Sequence, residues 1–301
     1  MIKKIYRFIE RYISLPTKIY KIQEALGRIE QRQTAHLSDI DKSEFRVFSQ
    51  WGEDGIIQFL LKHVPVKQKI FVEFGVENYT ESNTRFLLTN NLWSGLVIDG
   101  NAENIDYIKR DQIYWATNLK AIHKFITRHN INELLLSNGI QDDIALLSID
   151  IDGNDYWVWE TIDCVSPRIV ICEYNSLFGA KSNISIPYAD DFVRNRAHYS
   201  YLYYGASIGA LEYLGKKKGY SLVGSNSAGN NVFFVRNDLI GALKVLTAQE
   251  CYRKSNFRES HDKSGKLTFL DHLSAIKLIG DMKVIDVIDD KEITIKDINV
   301  I

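Results

Sequence analysis

The stretch from Lys69 to Asn83, KIFVEFGVENYTESN, decides the fold of this chain. It begins with an apolar run that closes on Glu73 and Gly75, and a second apolar run, Gly95 to Asp99, closes on another acid. A buried strand, a tight turn and a second strand ending in a carboxylate form the nucleotide-binding half of a doubly wound α/β sheet. The sequence therefore predicts a protein that binds a small adenosyl-type cofactor, and hence an enzyme.

Composition limits the classes that this chain can belong to. Its 301 residues are 45% hydrophobic, which suits one large α/β domain with extensions. A net charge of −1 gives no general attraction to a polyanion, so we expect no nucleic-acid partner. Three cysteines without C-x-x-C spacing predict reduced thiols in a cytoplasmic protein. No apolar run reaches the roughly 20 residues that cross a bilayer, and no secretory signal is recognisable, so we expect a soluble or membrane-peripheral protein.

Residues 1–37 are predicted to form a separate N-terminal module of two amphipathic helices. Apolar residues recur every three or four positions, at Ile2, Ile5, Ile9, Tyr12, Ile19, Ile22, Leu26 and Ile29. Residues 1–32 also carry eight Lys or Arg against three Glu. A narrow apolar seam requires a partner, which is a coiled-coil copy, the chain's own domain, or an anionic membrane surface. We expect a homo-oligomer, with peripheral membrane contact through residues 1–32 as the alternative.

Strands and helices alternate over residues 45–240, which predicts a Rossmann-like domain with a mostly parallel sheet. The predicted strands are Ile70–Gly75, Gly95–Asp99, a weak strand Ile113–Ala116, Ile144–Asp150 and Arg168–Glu173, with helices at Gly55–His63, Thr84–Thr89, Ala121–His129 and Ser207–Lys218. Two further strands, Tyr220–Gly224 and Asn231–Arg236, read as a closing antiparallel hairpin. The irregular stretch 174–203 predicts a lid or substrate-binding loop. Residues 241–301 are predicted to be a helical extension.

Acidic residues close four of the predicted strands. They are Glu73, Asp99, Asp150 with Asp152 two positions later, and Glu173 followed by Asn175. An open parallel sheet binds its ligand outside the carboxyl ends of its strands. We therefore expect these carboxylates to converge on one edge of the sheet as a functional cluster. One acid after a strand is commonly a helix cap, but four in the same position are harder to explain in that way.

At this point the sequence resembles the class I S-adenosylmethionine-dependent methyltransferases, and specifically the FkbM-type and macrocin O-methyltransferase-like groups that modify sugars and glycans. The resemblance spans about Phe45 to Asp238 and rests on Phe48–Asp54, Val72–Glu77, Val97–Asn101 and Leu147–Gly153. It implies that Glu73 and Gly75 hold the methionine part of S-adenosylmethionine and that Asp99 accepts hydrogen bonds from the ribose hydroxyls. Gln50 and Asp54 would lie near the cofactor's carboxylate and amino group. Glu53 and Asp54 are alternatively complements to the positive end of the following helix.

The glycine turn departs from the family pattern, because Gly75 stands alone where two or three glycines are usual. A pyrophosphate needs closer backbone approach, so the single glycine argues against NAD or FAD more than against S-adenosylmethionine.

The acids after the last two parallel strands are candidate metal ligands. Some methyltransferases of this fold bind Mg²⁺ there, which implies Asp150 or Asp152 with Glu173 and Asn175 as oxygen ligands for Mg²⁺ or Mn²⁺. An ordinary turn with Glu173 as a base or cap is the alternative. Methyl transfer to a hydroxyl also requires removal of a proton, for which Asp150 and, in the predicted lid, His198 are the catalytic candidates.

The sequence thus predicts a methyltransferase acting on a small molecule or glycan precursor. Tyrosines are frequent between Tyr188 and Tyr220, and aromatic rings stack on sugars, although an alternating half-buried strand explains the same residues. Two rival predictions remain. One is an enzyme of the same fold that uses another nucleotide-linked substrate. The other is a non-catalytic scaffold subunit of a glycan-assembly complex.

Overall fold

The computed structural model describes residues 15–298, apart from the side chain of Pro16. The predictions for Ile2 to Tyr12 therefore lie outside the described residues. The helices are α1 (Leu15–Thr34), α2 (Glu53–His63), α3 (Arg85–Asn90), α4 (Ala102–Arg110), α5 (Gln112–Ala116), α6 (Ile131–Ser137), α7 (Asp155–Thr161), α8 (Arg194–Ala197), α9 (Ile208–Lys217), α10 (Ala248–Cys251) and α11 (His272–Leu278). The strands are β1 (Ile70–Phe74), β2 (Ser94–Asp99), β3 (Leu119–His123), β4 (Leu146–Ile149), β5 (Ile169–Glu173), β6 (Ile184–Ser185), β7 (Tyr220–Ser225), β8 (Asn231–Arg236), β9 (Lys283–Asp286) and β10 (Lys291–Thr294).

Seven strands form one sheet in the order β3-β2-β1-β4-β5-β8-β7. The first five pair in parallel, while β8 pairs antiparallel with both β5 and β7. The predicted fold class is therefore confirmed: an α/β, Rossmann-like, doubly wound and mostly parallel sheet with an antiparallel hairpin after it. The strand order reverses between β1 and β4, which is the position where such sheets bind ligands.

Buried side chains cover both faces of the sheet, which explains the nearly continuous apolar runs of its strands. In β1, Phe71 points to one face while Val72 and Phe74 point to the other. The first face packs on α2, α3, α4 and α5, and the second on α6, α7 and α9. Because neither face is left to solvent, the carboxyl-end edge of the sheet is where polar residues gather.

Two predictions between Asp111 and His129 are wrong, because the predicted strand is a helix and the predicted helix contains a strand. Ile113–Ala116, predicted as a strand, belongs to α5, which begins where the Asp111 carboxylate accepts a hydrogen bond from Ile113 N at 3.0 Å. Ala121–His129, predicted as a helix, contributes β3 instead, which pairs with β2 from Leu119 to His123. β3 is an edge strand in which only Leu119 and Ala121 are buried, so it lacks a continuous apolar run.

Helix α1 packs against the Rossmann-like domain. Tyr20 contacts Phe48, with 6.2 Å between ring centroids, and Gln31 donates to Gln58 of α2 at 2.6 Å. A Cβ at Gly27 would lie 2.4 Å from Val47, so this glycine permits a close approach of α1 to the domain. Within residues 15–298, no helix is both long and apolar enough to cross a membrane.

Residues 241–298 are not purely helical, which corrects the prediction for this segment. Besides α10 and α11 they contain the hairpin β9–β10, which forms a second, three-stranded sheet with β6. β6 itself lies inside the connection 174–203 that the sequence predicted to be a lid. The C-terminal segment and this connection are thus joined by backbone pairing, a long-range contact that apolar periodicity does not reveal.

Candidate functional site

A cavity of about 760 Å³ opens at the carboxyl ends of the parallel strands. It lies where the strand order reverses between β1 and β4. Its lining includes residues that follow four strands: Glu73 and Gly75, Asp99, Asp150 and Asp152, and Glu173. The structure therefore brings together the acids that the sequence placed at strand ends.

Gly75 allows the turn after β1 to approach β4 closely. Its backbone has φ +68°, a left-handed conformation that side chains oppose, and an added Cβ would lie 1.6 Å from the Asp150 carbonyl oxygen. Gly75 N also donates to Ile98 O at 3.0 Å, which fastens the turn to β2. A glycine here thus sets the spacing of three strand ends around the cavity.

Glu73 lines the cavity, but both oxygens of its carboxylate already accept hydrogen bonds from other residues of the chain. One oxygen accepts from Asn83 N at 2.8 Å, and the other accepts from Thr84 N at 3.1 Å and from the Thr84 hydroxyl. Burial raises the pKa of Glu73 to about 7, and the Thr84 and Asn83 hydrogen bonds offset part of that rise. Glu73 therefore anchors the segment before α3.

Asp99 retains acceptor capacity toward the cavity. Its Oδ2 accepts one bond, from Glu77 N at 2.8 Å, while Oδ1 accepts from Asn101 N at 2.7 Å and from Asn104 Nδ2 at 3.2 Å. A carboxylate oxygen can accept more than one hydrogen bond, so Oδ2 remains able to receive a hydroxyl. The three protein donors fix the orientation of this carboxylate.

Gln50 and Asp54, predicted together, lie in different surroundings. Gln50 is exposed and lines the cavity. Asp54 is buried and outside the lining; its Oδ2 accepts from the backbone N–H groups of residues 47, 48 and 49, each at 2.8 Å, and from the Ser49 hydroxyl. The structure thus places Asp54 as an anchor for the loop before α2, which carries Gln50 and Trp51 to the cavity wall.

Asp150, Asp152 and Glu173 form a compact acidic cluster. One carboxylate oxygen from each lies within 4.8 Å of those of the other two. Removal from water, together with the charges of neighbouring carboxylates, raises the pKa of both Asp150 and Glu173 well above the usual range. The Oε2 atom of Glu173 is buried and has no hydrogen-bond partner among the described residues. Three crowded carboxylates with an unsatisfied oxygen are a donor set that suits a hard divalent cation.

Asn175, the fourth predicted metal ligand, does not line this cavity. Its Nδ2 donates to Leu202 O at 3.0 Å and to Tyr204 O at 3.1 Å, and its Oδ1 accepts from Leu177 N at 3.0 Å. The side chain is fully used to hold the connection after β5. Proximity in sequence to Glu173 was therefore misleading for this residue.

Arg194 of α8 is a cavity residue that the sequence reasoning missed. Its guanidinium pairs with Asp152 at 2.7 Å and with Glu259 at 3.6 Å, and it lies 3.9 Å from the centroid of the Tyr204 ring. It also donates from Nε to Tyr201 O at 2.6 Å. Arg194 thus carries the positive charge beside the acidic cluster. Its position in a stretch without periodicity gave no sequence signal beyond the placement in a candidate lid.

His198, the predicted catalytic base, lies outside the cavity lining. Its Nδ1 is 2.7 Å from the Ser200 hydroxyl, and burial lowers the pKa of this histidine. Among the predicted tyrosines, Tyr201 lines the cavity, whereas the Tyr203 hydroxyl is engaged by Lys283 O in the C-terminal segment. The lid prediction therefore identified the right segment but not the residue that faces the cavity.

An aromatic pair lies at the cavity wall. The rings of Trp51 and Phe257 stack with centroids 5.9 Å apart and an interplanar angle of 16°. Both residues line the cavity, and Phe257 comes from the C-terminal segment. Trp51 is exposed and Phe257 is half-buried, so an aromatic surface remains open to the cavity.

The solved structures that resemble this chain do so at low sequence identity. No protein-family model and no curated protein matches the chain. Among solved structures, the N-terminal domain of EvdMO1 with SAH bound has a TM-score of 0.42 at 11% identity, covering 72% of this chain and 97% of that one. An S-adenosylmethionine-dependent methyltransferase from Clostridium acetobutylicum has 0.40 at 10% identity, covering 70% and 98%. PKMT2 from Rickettsia typhi in complex with AdoHcy has 0.43 at 11% identity, covering 67% and 56%. Likenesses at these values do not bear on what this chain binds.

Proposed function

We propose that this chain is an S-adenosylmethionine-dependent O-methyltransferase that acts on a sugar or glycan-precursor hydroxyl, assisted by Mg²⁺ or Mn²⁺. The observation that carries the proposal is the cavity at the reversal of strand order, where the Gly75 turn, Asp99 and the acidic cluster meet. A crevice at this position is the ligand site of doubly wound sheets. Its acidic wall suits a cofactor with a sulfonium and an ammonium group.

Residues of the cavity divide into two regions. Asp99 would accept a ribose hydroxyl at Oδ2, and the Gly75 turn would contact the methionine part. S-adenosylmethionine supplies a methyl group on a cationic sulfur when it is bound. Trp51 and Phe257 offer an aromatic face for the acceptor ring. Without a bound cation, Asp150 would be the group to take the proton from the acceptor hydroxyl, because burial and the neighbouring carboxylates raise the pKa of its carboxyl; with a cation bound, it would serve as a ligand instead.

The metal part of the proposal rests on the crowding of Asp150, Asp152 and Glu173. Like charges at this separation repel unless a proton or cation lies between them. A divalent cation would lower the pKa of the acceptor hydroxyl and orient it. Arg194 already neutralises Asp152, so Asp150 and the unsatisfied Oε2 of Glu173 are the principal ligands in this proposal.

A cytoplasmic location also belongs to the proposal. All three cysteines are free thiols, and two of them are buried, as a reducing compartment allows.

Titration with S-adenosylhomocysteine, with and without Mg²⁺, tests the cofactor assignment. We expect binding by the parent protein and at least tenfold weaker binding by Asp99→Asn, since loss of a charge-assisted hydrogen bond costs about 1.5–3 kcal/mol. Asp106→Asn, an exposed acid on the neighbouring helix α4, is the matched control and should bind as the parent does. Absence of binding by the parent under both conditions would remove the proposal and favour a scaffold role.

Electron paramagnetic resonance of Mn²⁺ tests the metal separately. We expect the parent to immobilise one Mn²⁺ and Glu173→Gln to bind it at least tenfold more weakly. Glu160→Gln, in α7 and outside the cavity, is the control. Equal Mn²⁺ binding by the parent and Glu173→Gln would refute the metal site while leaving the cofactor site standing.

A further inference from the structure

Helix α1 presents an unusually apolar face to solvent. Leu15, Ile19, Ile22, Leu26 and Ile29 are spaced by four, three, four and three residues, and each is about half exposed, with Ile22 the most exposed at 59%. We call these five residues the α1 seam. In a helix this spacing places them in one continuous stripe. Exposed apolar stripes of this length mark an interaction surface.

The opposite side of α1 is already used by the chain itself. Tyr20, Gly27 and Gln31 face the domain, where they contact Phe48, Val47 and Gln58 respectively. Among the residues of α1 whose burial is described (15 and 17–34), Gly27 alone is buried. The α1 seam is therefore held in a fixed orientation, pointing away from the domain.

A basic stripe runs along one flank of the α1 seam. Lys18, Lys21, Arg28 and Arg32 are all exposed, and at 100° per residue they fall within one sector of the helix next to the seam. Among residues 15–298, no acid lies within ion-pair distance of these four side chains. Apolar and basic stripes side by side are the pattern of a helix that lies on an anionic lipid surface.

The same residues favour an anionic surface over a second copy of α1 as the partner of the seam. If two copies paired in parallel through the seam, flanking positions would bring Lys18 opposite Gln23 and Ala25 opposite Glu30, with no pair of opposite charges. If they paired antiparallel, the flank of Lys18 and Arg32 would face itself. Like charges across such a seam are repulsive, whereas an anionic surface complements the basic residues nearest the seam, Lys18 and Arg32.

We propose that α1 docks this protein on an anionic membrane surface, with the α1 seam in the interfacial layer and the basic stripe near lipid phosphates. The contact does not depend on the proposed methyl transfer. Because Tyr20 packs on Phe48, two residues before Gln50 in the cavity wall, the docked helix and the cavity belong to one body.

Vesicle co-sedimentation of the full chain tests this proposal. We expect binding to phosphatidylcholine vesicles that contain phosphatidylglycerol, little binding to phosphatidylcholine alone, and at least tenfold weaker binding in high salt. The double variant Ile22→Glu, Leu26→Glu should lose at least tenfold in affinity. Leu136→Glu is the matched control, because Leu136 is 49% exposed on α6 and lies outside the α1 seam. Lys18→Gln with Lys21→Gln should lose the preference for anionic vesicles.

Light scattering and S-adenosylhomocysteine titration separate the alternatives. In place of the homo-oligomer expected from the sequence, the proposal predicts a monomer in solution, with cofactor affinity equal in the parent and the seam variant. A dimer that the seam variant converts to a monomer would overturn the proposal in favour of a second copy as partner. Failure of the parent to bind anionic vesicles at low salt, with an unchanged monomer mass, would also overturn it.

Discussion

Replacing Gly75 with alanine should destabilise the protein and impair cofactor binding together. The left-handed backbone costs a side chain about 1–2 kcal/mol, and forcing an atom into a close-packed contact adds typically about 1–3 kcal/mol. The new Cβ would lie 1.6 Å from Asp150 O, a separation that only a backbone shift of β1 or β4 can relieve. We expect a total loss of about 3 kcal/mol in the free energy of unfolding, measured by urea denaturation.

Gly139→Ala supplies the matched control for that experiment. Gly139 has φ +77°, close to that of Gly75, but a Cβ there would have nothing within 4 Å. Its substitution should cost about 1 kcal/mol, partly offset by reduced entropy of the unfolded chain. Titration of the folded variants with S-adenosylhomocysteine should show at least tenfold weaker binding for Gly75→Ala alone. If Gly75→Ala is no less stable than Gly139→Ala and binds equally well, the reasoning about close strand approach is wrong.

Three further predictions concern buried acids and the discarded base. The pKa of Glu73 is about 7 in the folded protein against 4.5 for a free carboxyl, so the folded protein keeps this proton to a higher pH than the unfolded chain does. The free energy of unfolding should therefore fall by up to about 3 kcal/mol as pH rises from 4.5 to 8. Glu73→Gln should reduce this fall in urea denaturation, and an unchanged pH dependence would contradict the raised pKa of Glu73. Asp54→Ala should lower the free energy of unfolding by at least about 3 kcal/mol, because it leaves the backbone N–H groups of residues 47–49 without an acceptor. Asp54→Asn keeps an acceptor oxygen and should lose less stability in thermal melting. Equal losses for the two variants would disprove the anchoring role. His198→Ala should change cofactor affinity and methyl transfer by less than about twofold, because the ring lies outside the cavity lining; a tenfold loss of rate would restore it as a base.

The parallel sheet was predictable because its central strands are buried on both faces. Such strands produce uninterrupted apolar runs, and their terminal acids mark the edge where the cavity forms. β3 was not predictable in the same way, since it lies at the sheet edge and only its pairing with β2 identifies it. Helix α5 was missed because a short helix is defined by the Asp111 cap more than by periodicity.

Individual roles at the site were less predictable than its location. Glu73 and Asp54 carry the residue types expected of ligands, yet both oxygens of Glu73 and the Oδ2 of Asp54 accept hydrogen bonds from backbone N–H groups of neighbouring loops. The Oδ1 of Asn175 likewise accepts a hydrogen bond from a backbone N–H group, that of Leu177. Arg194 could not be found from sequence, because its significance depends on pairing with Asp152 and Glu259, which folding brings from two other segments.

The three-stranded sheet of β6, β9 and β10 links the C-terminal segment to the cavity, although the two are far apart in sequence. It ties the segment that carries Arg194 to residues beyond position 280. A polypeptide cut after Asp238 would retain every strand of the large sheet but lose this brace, along with Phe257 and Glu259. Loss of the C-terminal segment should therefore alter the cavity wall that carries Arg194 and also remove Ala248 and Cys251 from the core of the Rossmann-like domain.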